Sequence, residues 1–421
     1  MSGKTELKIF DDHPPQVVIE AGYFEDIHPQ TSMDDATNLE FVVPASNMDY
    51  LDLNDTLLSV RVKVVKAADG STLDATKDKP VASNYFMHSL FSDVTLHLND
   101  TVIEGGTQLY PYKAVMESEL NFNGEAKKTQ LLMAGLEETV ASRKAWLAGS
   151  KVLELVGPLR LDFLNQPKYL LPGVSVRIRM TRANSNFSLT YAAGDTEPED
   201  NIWKIVMEKA ILYVRRVKVH PAIIKAHEFG LQTKNALYPY TRSKVITFTV
   251  PTGSTSYFKD NIFSSHLLPK VVIIGIVKGS GFSGTVKHRS LYFGNFGVNR
   301  VDLLRNGQSI PYRSGYQCDF DGELINDVYL RSIYQNMNSL NTNNGCGLTI
   351  KQFKDGAAFF VFNLTPDFDL NERQTVRDSN LRLDLSFKKA LTEAINVIAY
   401  ACYDATLQIT KNREIIQDGF T

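Results

Sequence analysis

The 421-residue chain carries 45 Lys and Arg against 47 Asp and Glu, a formal net charge of −2, which argues against a dedicated nucleic-acid binder with its basic face or arm. With 43% hydrophobic and 22% charged residues, the composition is that of a soluble globular protein, large enough for two ordinary domains without disulfide or metal staples. The three cysteines, Cys318, Cys346 and Cys402, are too few and too scattered for a disulfide framework or a zinc site, and point to a reducing folding compartment.

Residues 1–29 hold Lys4 and Lys8 against Glu6, Asp11, Asp12, Glu20, Glu25 and Asp26, with no apolar signal core. Residues 1–35 are therefore expected to form an N-terminal arm outside the folded domains. Strands follow. Leu58-Ser59-Val60-Arg61-Val62-Lys63-Val64, Val94-Thr95-Leu96-His97-Leu98 and Val174-Ser175-Val176-Arg177-Ile178-Arg179-Met180 alternate apolar and polar side chains. So do the stretches 211–219, 245–250 and 381–387. A period of two puts one side-chain set on a core and the other in solvent, as in antiparallel sandwiches. Turn residues separate them at Asn99-Asp100, Pro251-Thr252-Gly253, Asn306-Gly307 and Asp321-Gly322. Helical spacing is confined to insertions, the clearest over 124–147 (Ala126, Leu131, Leu132, Leu136, Val140, Trp146) and another over 324–337. The longest apolar run, Val271-Val272-Ile273-Ile274-Gly275-Ile276-Val277, is of strand length, far below the ~20 residues of a membrane span. The class is all-β with helical loop insertions.

The second half echoes the first at an offset of about 207 residues. Phe41-Val42-Val43-Pro44 matches Phe248-Thr249-Val250-Pro251, Tyr50 matches Tyr257, and Tyr85-Phe86 matches Tyr292-Phe293. Leu96-His97-Leu98-Asn99 falls on Leu303-Leu304-Arg305-Asn306, Ile103 on Ile310, and 174–180 on 381–387. Pro111-Tyr112-Lys113 against Pro311-Tyr312-Arg313, and 214–219 against 403–409, match at shorter offsets. Each half has the size of one β-sandwich. The expected division is 36–229 and 230–421, with the boundary in the Pro- and Gly-bearing stretch 221–240.

Chemistry-bearing motifs are weak. Gly279-Ser280-Gly281-Phe282-Ser283-Gly284 spells G-x-G-x-x-G, but a dinucleotide site needs a helix opening there and an acidic residue ~20 positions on. A strand-like run follows instead, and position 304 is Leu304, so a turn is expected. The histidines at 13, 28, 88, 97, 220, 227, 266 and 288 show no metal-ligand spacing. No nucleophile elbow or P-loop occurs. Asp11-Asp12-His13 reads as a solvated arm. The sequons at Asn54, Asn99, Asn186 and Asn363 are expected to carry no sugar without an entry signal. The aromatic residues sit mostly within strand patterns such as Phe359-Phe360-Val361-Phe362, where core packing is the default. No catalytic, cofactor-binding or metal residue is nominated.

The blocks Leu39-Glu40-Phe41-Val42-Val43-Pro44-Ala45-Ser46-Asn47-Met48-Asp49-Tyr50-Leu51-Asp52-Leu53, 54–63, 250–256, 268–275, 306–311, 380–385 and 396–401 resemble, in that order, the double jelly-roll major capsid proteins of Polinton (Maverick) elements, adintoviruses and their relatives. The resemblance implies two tandem jelly rolls and a homotrimeric capsomer of pseudo-hexagonal outline. It also implies an icosahedral virion shell assembled inside the host cell, a penton or minor capsid partner, and no enzymatic activity. Closed threefold symmetry with two sandwiches per chain accommodates that shape. The segments 124–150, 184–201 and 336–347 are then candidates for outer towers or contacts between capsomers. The runner-up reading is a two-domain glycan- or protein-binding β-sandwich, and a sandwich hydrolase comes third.

Overall fold

The computed structural model describes residues 18–33, 37–263, 267–322, 324–343, 345–373 and 380–418. The first half contains β1 (Ile19–Ile27), β2 (Asn38–Val43), β3 (Asp49–Lys66), β4 (Val81–Ala82), β5 (Phe91–Leu98), β6 (Thr101–Glu104), β7 (Leu153–Pro158), β8 (Val176–Arg182), β9 (Leu189–Thr190) and β10 (Trp203–Val219). The second contains β11 (Ala236–Val250), β12 (Ser256–Lys259), β13 (Val271–Lys278), β14 (Val298–Arg305), β15 (Gln308–Ile310), β16 (Tyr316–Gln317), β17 (Phe359–Asn363), β18 (Leu381–Phe387), β19 (Ile395–Ile409) and β20 (Ile415–Gln417).

Two sheets face each other in each half, four-stranded in the first and five-stranded in the second, where β20 adds to β19 and β16 to β14 off the main path. They run β1-β10-β3-β7 and β2-β8-β5-β6 in the first, β11-β19-β13-β17 and β12-β18-β14-β15 in the second. Counting the eight principal strands of each half in chain order, both halves have sheets ordered 1-8-3-6 and 2-7-4-5, all antiparallel. That order is the jelly roll, so the fold is two tandem jelly rolls.

Alternation in the sequence sets the cores. Leu58, Val60, Val62 and Val64 of β3 point inward at 0% exposure, while Arg61 faces out and pairs with Glu154 on β7. The apolar run of β13 is buried on both faces, because the sandwich core lies on one side and helix Tyr110–Asn121 of the first half on the other. Near this helix, a Cβ on Gly275 would meet the Met116 side chain at 2.8 Å. The turns at Asn99 and Asn306, the same β-hairpin in each half, both take left-handed φ values.

Several expectations change. Residues 19–27, placed in the N-terminal arm, are strand β1, paired with β10 from Ile19 opposite Val219 to Ile27 opposite Leu212. Residues 1–17 of that arm, with Asp11-Asp12-His13, lie outside the described residues. Leaving β1 out of the count also slipped the start of the repeat. Phe41–Val43 belongs to a second strand, β2, and Phe248–Val250 to a first strand, β11; the matches on β5 with β14, β6 with β15 and β8 with β18 join true counterparts. The helix expected over 124–147 is three short pieces, Gly124–Lys128, Leu132–Ala134 and Val140–Leu147, with Gly135 left-handed between the last two. The expected boundary at 229/230 falls inside helix Pro221–Leu231.

Candidate functional site

In an antiparallel jelly roll the connections after the first, third, fifth and seventh strands share one end. Here that end carries the long insertions: 67–90, 105–152 and 183–202 in the first half, 279–297 and 311–358 in the second. The insertions of the two halves touch. Thr190 Oγ1 donates to the Val286 carbonyl at 3.1 Å, Val286 N–H to Asp200 at 2.8 Å, Lys287 pairs with Glu197 at 2.9 Å, and Gln352 bonds Glu138. At the opposite end Asn99 Nδ2 donates to the Arg413 carbonyl at 2.9 Å and Arg413 Nε to the Pro172 carbonyl at 2.8 Å. The two sandwiches therefore stand side by side pointing the same way. Two of the candidate tower segments, 124–150 and 184–201, spend part of their surface on this clasp.

The seam between the sandwiches is the most chemically loaded region. Helix Tyr110–Asn121 leaves the first sandwich and lies against the second, with ten of its twelve residues buried. Tyr112 stacks on Phe282 at 5.5 Å and meets Phe293 edge-on at 6.1 Å. Lys113 reaches Asp162 at 2.8 Å, Glu117 at 3.7 Å and Glu104, all four residues being almost wholly inaccessible to water. Across the seam Asp162 accepts from the Ser243 N–H at 2.6 Å and hydroxyl at 2.8 Å, and Tyr400 donates to Glu117 at 3.0 Å. Phe163 packs edge-on against Tyr238 and Tyr240 of β11, at 6.0 and 5.4 Å. Lys168 Nζ holds the Leu237 carbonyl at 2.8 Å.

Three carboxyls share one ammonium in this poorly solvated site, so they do not all ionise freely. Burial, then repulsion from Asp162, pushes Glu104 up to about 8. Burial also pushes Glu117 up to about 7. Burial alone would lower Lys113, but Asp162, Glu104 and Glu117 together raise it well above its ordinary value, so the lysine stays charged. His88, beside Tyr110 at 3.0 Å, is held down to about 3 by burial and then by Arg160, and is neutral.

The residues weighed from sequence fall apart in space. Gly279–Phe282 is a single helical turn, too short to offer a phosphate-binding N-terminus. Among the described residues no His, Cys, Asp and Glu cluster has the geometry to hold a metal ion. All three cysteines are free thiols, and burial raises Cys318 and Cys402 to about 12. Two sequon asparagines, Asn186 and Asn363, are buried, and Asn99 is spent on hydrogen bonds to Ser175 and Arg413. Among the described residues no helix is long and apolar enough to cross a membrane. Sequence reasoning missed the buried charge cluster, because only Lys113 and Glu117, an i, i+4 pair, are near each other in the chain, and Glu104 and Asp162 reach them only through the fold.

This architecture defines a class: the protein is a double jelly roll. No protein-family model matches the chain. Solved structures similar to it over nearly the whole length include viral ones. The Faustovirus major capsid protein has a TM-score of 0.61 at 10% identity, covering 96% of this chain and 93% of that one. The mavirus major capsid protein has a TM-score of 0.53 at 10% identity, covering 99% and 93%. A chain of the Sputnik virophage has a TM-score of 0.63 at 13% identity, covering 100% and 93%. An uncharacterised protein of Caenorhabditis elegans is 26% identical over 400 residues, covering 90% of this chain and 93% of that protein.

Proposed function

We propose that the protein is a major capsid protein whose work is self-assembly rather than catalysis. Three copies form a capsomer of pseudo-hexagonal outline, and capsomers tile an icosahedral shell with a separate penton or minor capsid protein at the vertices. The observation that carries this reading is the pairing, in one chain, of two jelly rolls with identical strand order standing parallel, over a length that capsid proteins of Faustovirus and mavirus match end to end. A ring of three such chains presents six similar sandwiches, and closed threefold symmetry then supplies a near-sixfold tile. The resemblance of the sequence blocks to Polinton and adintovirus capsid proteins supports that lineage. Near-zero net charge supports a shell whose assembly does not depend on specific nucleic-acid binding. A place in the virion, reached by assembly inside the host cell, follows from the same reading.

Electron micrographs of the purified protein test the proposal. Hexagonal capsomer outlines or closed shells are expected. Discrete single particles that bind a glycan column and elute with free sugar would replace it with the binding-module reading.

A further inference from the structure

The seam inside the chain has counterparts at the two outer flanks of the chain. After β7 the chain reads Leu159-Arg160-Leu161-Asp162-Phe163, and after β17 it reads Leu364-Thr365-Pro366-Asp367-Phe368. The ladders show that these are counterparts. Pro158 lies opposite Leu57, and Asn363 opposite Val271; next in each sheet, Leu57 faces Tyr213 and Val271 faces Cys402. One strand further, Tyr213 faces Asp26 of β1 and Cys402 faces Ser243 of β11. Counting back three residues brings Tyr23 onto Tyr240.

Phe163 is fully buried against Tyr240 and Tyr238. Its counterpart Phe368 is only half-buried, on a turn fixed by Asn363, whose Nδ2 donates to the Phe368 carbonyl at 3.1 Å. Phe368 also holds a left-handed φ of 61°, a conformation that costs a bulky residue energy. Tyr23, counterpart of Tyr240, is 42% exposed, and Phe24 beside it is 55% exposed. Their side chains leave β1 on opposite faces, so among the described residues the middle of the strand shows an aromatic ring to solvent on each face, with the Tyr23 hydroxyl donating to Asp49 at 3.2 Å and Ile27 anchoring the strand's end in the core. Its nine residues contain no Lys, Arg or Pro; Glu20, Glu25 and Asp26 are the charges it carries. The equivalent edge, β11, carries Pro239, Arg242 and Lys244 and is covered by the first sandwich.

We propose that the Asp367-Phe368 turn of one copy docks on β1 of a second copy, with Phe368 against Tyr23, repeating between chains the contact that Phe163 makes with Tyr240 within a chain. The contact is head-to-tail: each copy offers the turn from its second sandwich and receives on its first, so identical contacts propagate until the ring closes. Asp26 stands where Ser243 does, so the hydroxyl bond to the carboxylate is replaced by an unfavourable approach of two carboxylates, Asp26 and Asp367, and the aromatic contact is the part that carries over. This inference rests on the self-assembly reading.

A cysteine pair tests it. In the double variant Tyr23→Cys, Phe368→Cys, mild oxidation is expected to link chains into covalent species ending at three, while either single variant links none. Phe368→Asp and Tyr23→Ala, with folding checked by circular dichroism, are each expected to lower the assembled fraction at least tenfold. An assembled wild-type protein whose double variant stays uncrosslinked, with both point variants assembling normally, overturns the docking site and leaves the capsomer standing. A wild-type protein that remains monomeric at every concentration overturns both.

Discussion

Asn336 is a single side chain that organises the interior of the second sandwich. Wholly buried, it donates from Nδ2 to Tyr316 Oη at 2.6 Å and to the Val361 carbonyl at 2.9 Å, while its Oδ1 accepts from Asn363 N–H at 3.3 Å. Asn336→Leu strands these partners without water, and should cost about 2–3 kcal/mol in urea unfolding; an unchanged midpoint would show that the network contributes nothing. The seam carboxyls behave differently. Glu104 and Glu117 have native values raised above the ordinary carboxyl value by burial, so folding favours their protonated forms. The stability they confer is full below the ordinary carboxyl range and is lost as pH rises through about 7–8. The melting temperature should therefore fall between pH 6 and pH 9. Glu104→Gln, a permanent mimic of the protonated form, should flatten that fall; a slope identical to wild type would remove Glu104 from the account.

At the scale of elements, legibility in the sequence followed burial pattern. Strands with one face in a core, such as β3, β8 and β18, alternate in the sequence and were read directly. Strand β1 was not, because Ile-Glu-Ala-Gly-Tyr-Phe-Glu-Asp-Ile is an edge with six of its nine residues exposed, leaving no alternation to find. Helix Tyr110–Asn121 was invisible for the opposite reason: buried nearly all round, with Lys113 and Glu117 paired inside the seam, it shows no polar face turned to solvent. Its role is tertiary, and local spacing cannot encode a partner sheet more than a hundred residues away. Strand β1 makes a direct prediction. In hydrogen exchange at least every second amide from Ala21 to Ile27, those bonded to β10, should be protected to nearly the same degree as the core strands. Uniformly fast exchange across 19–27 would return the segment to the arm.

The whole molecule is a duplicated jelly roll whose halves are joined through a polar, aromatic seam, and its proposed work depends on making the same kind of joint with other copies. The repeat was legible in outline from sequence, since fourth, fifth and seventh strands matched their true counterparts. The slip at its start came from the missing first strand. The seam residues were beyond reach, because Asp162, Ser243, Glu117 and Tyr400 converge only after both sandwiches have formed. The central claim, that this chain is an assembling subunit, is tested most directly by its mass in solution, measured by light scattering across the eluting peak. The account predicts a species near three times the 47.2 kDa chain, or a far larger closed assembly, persisting on dilution. A single species at the mass of one chain, unchanged at high concentration, would contradict it.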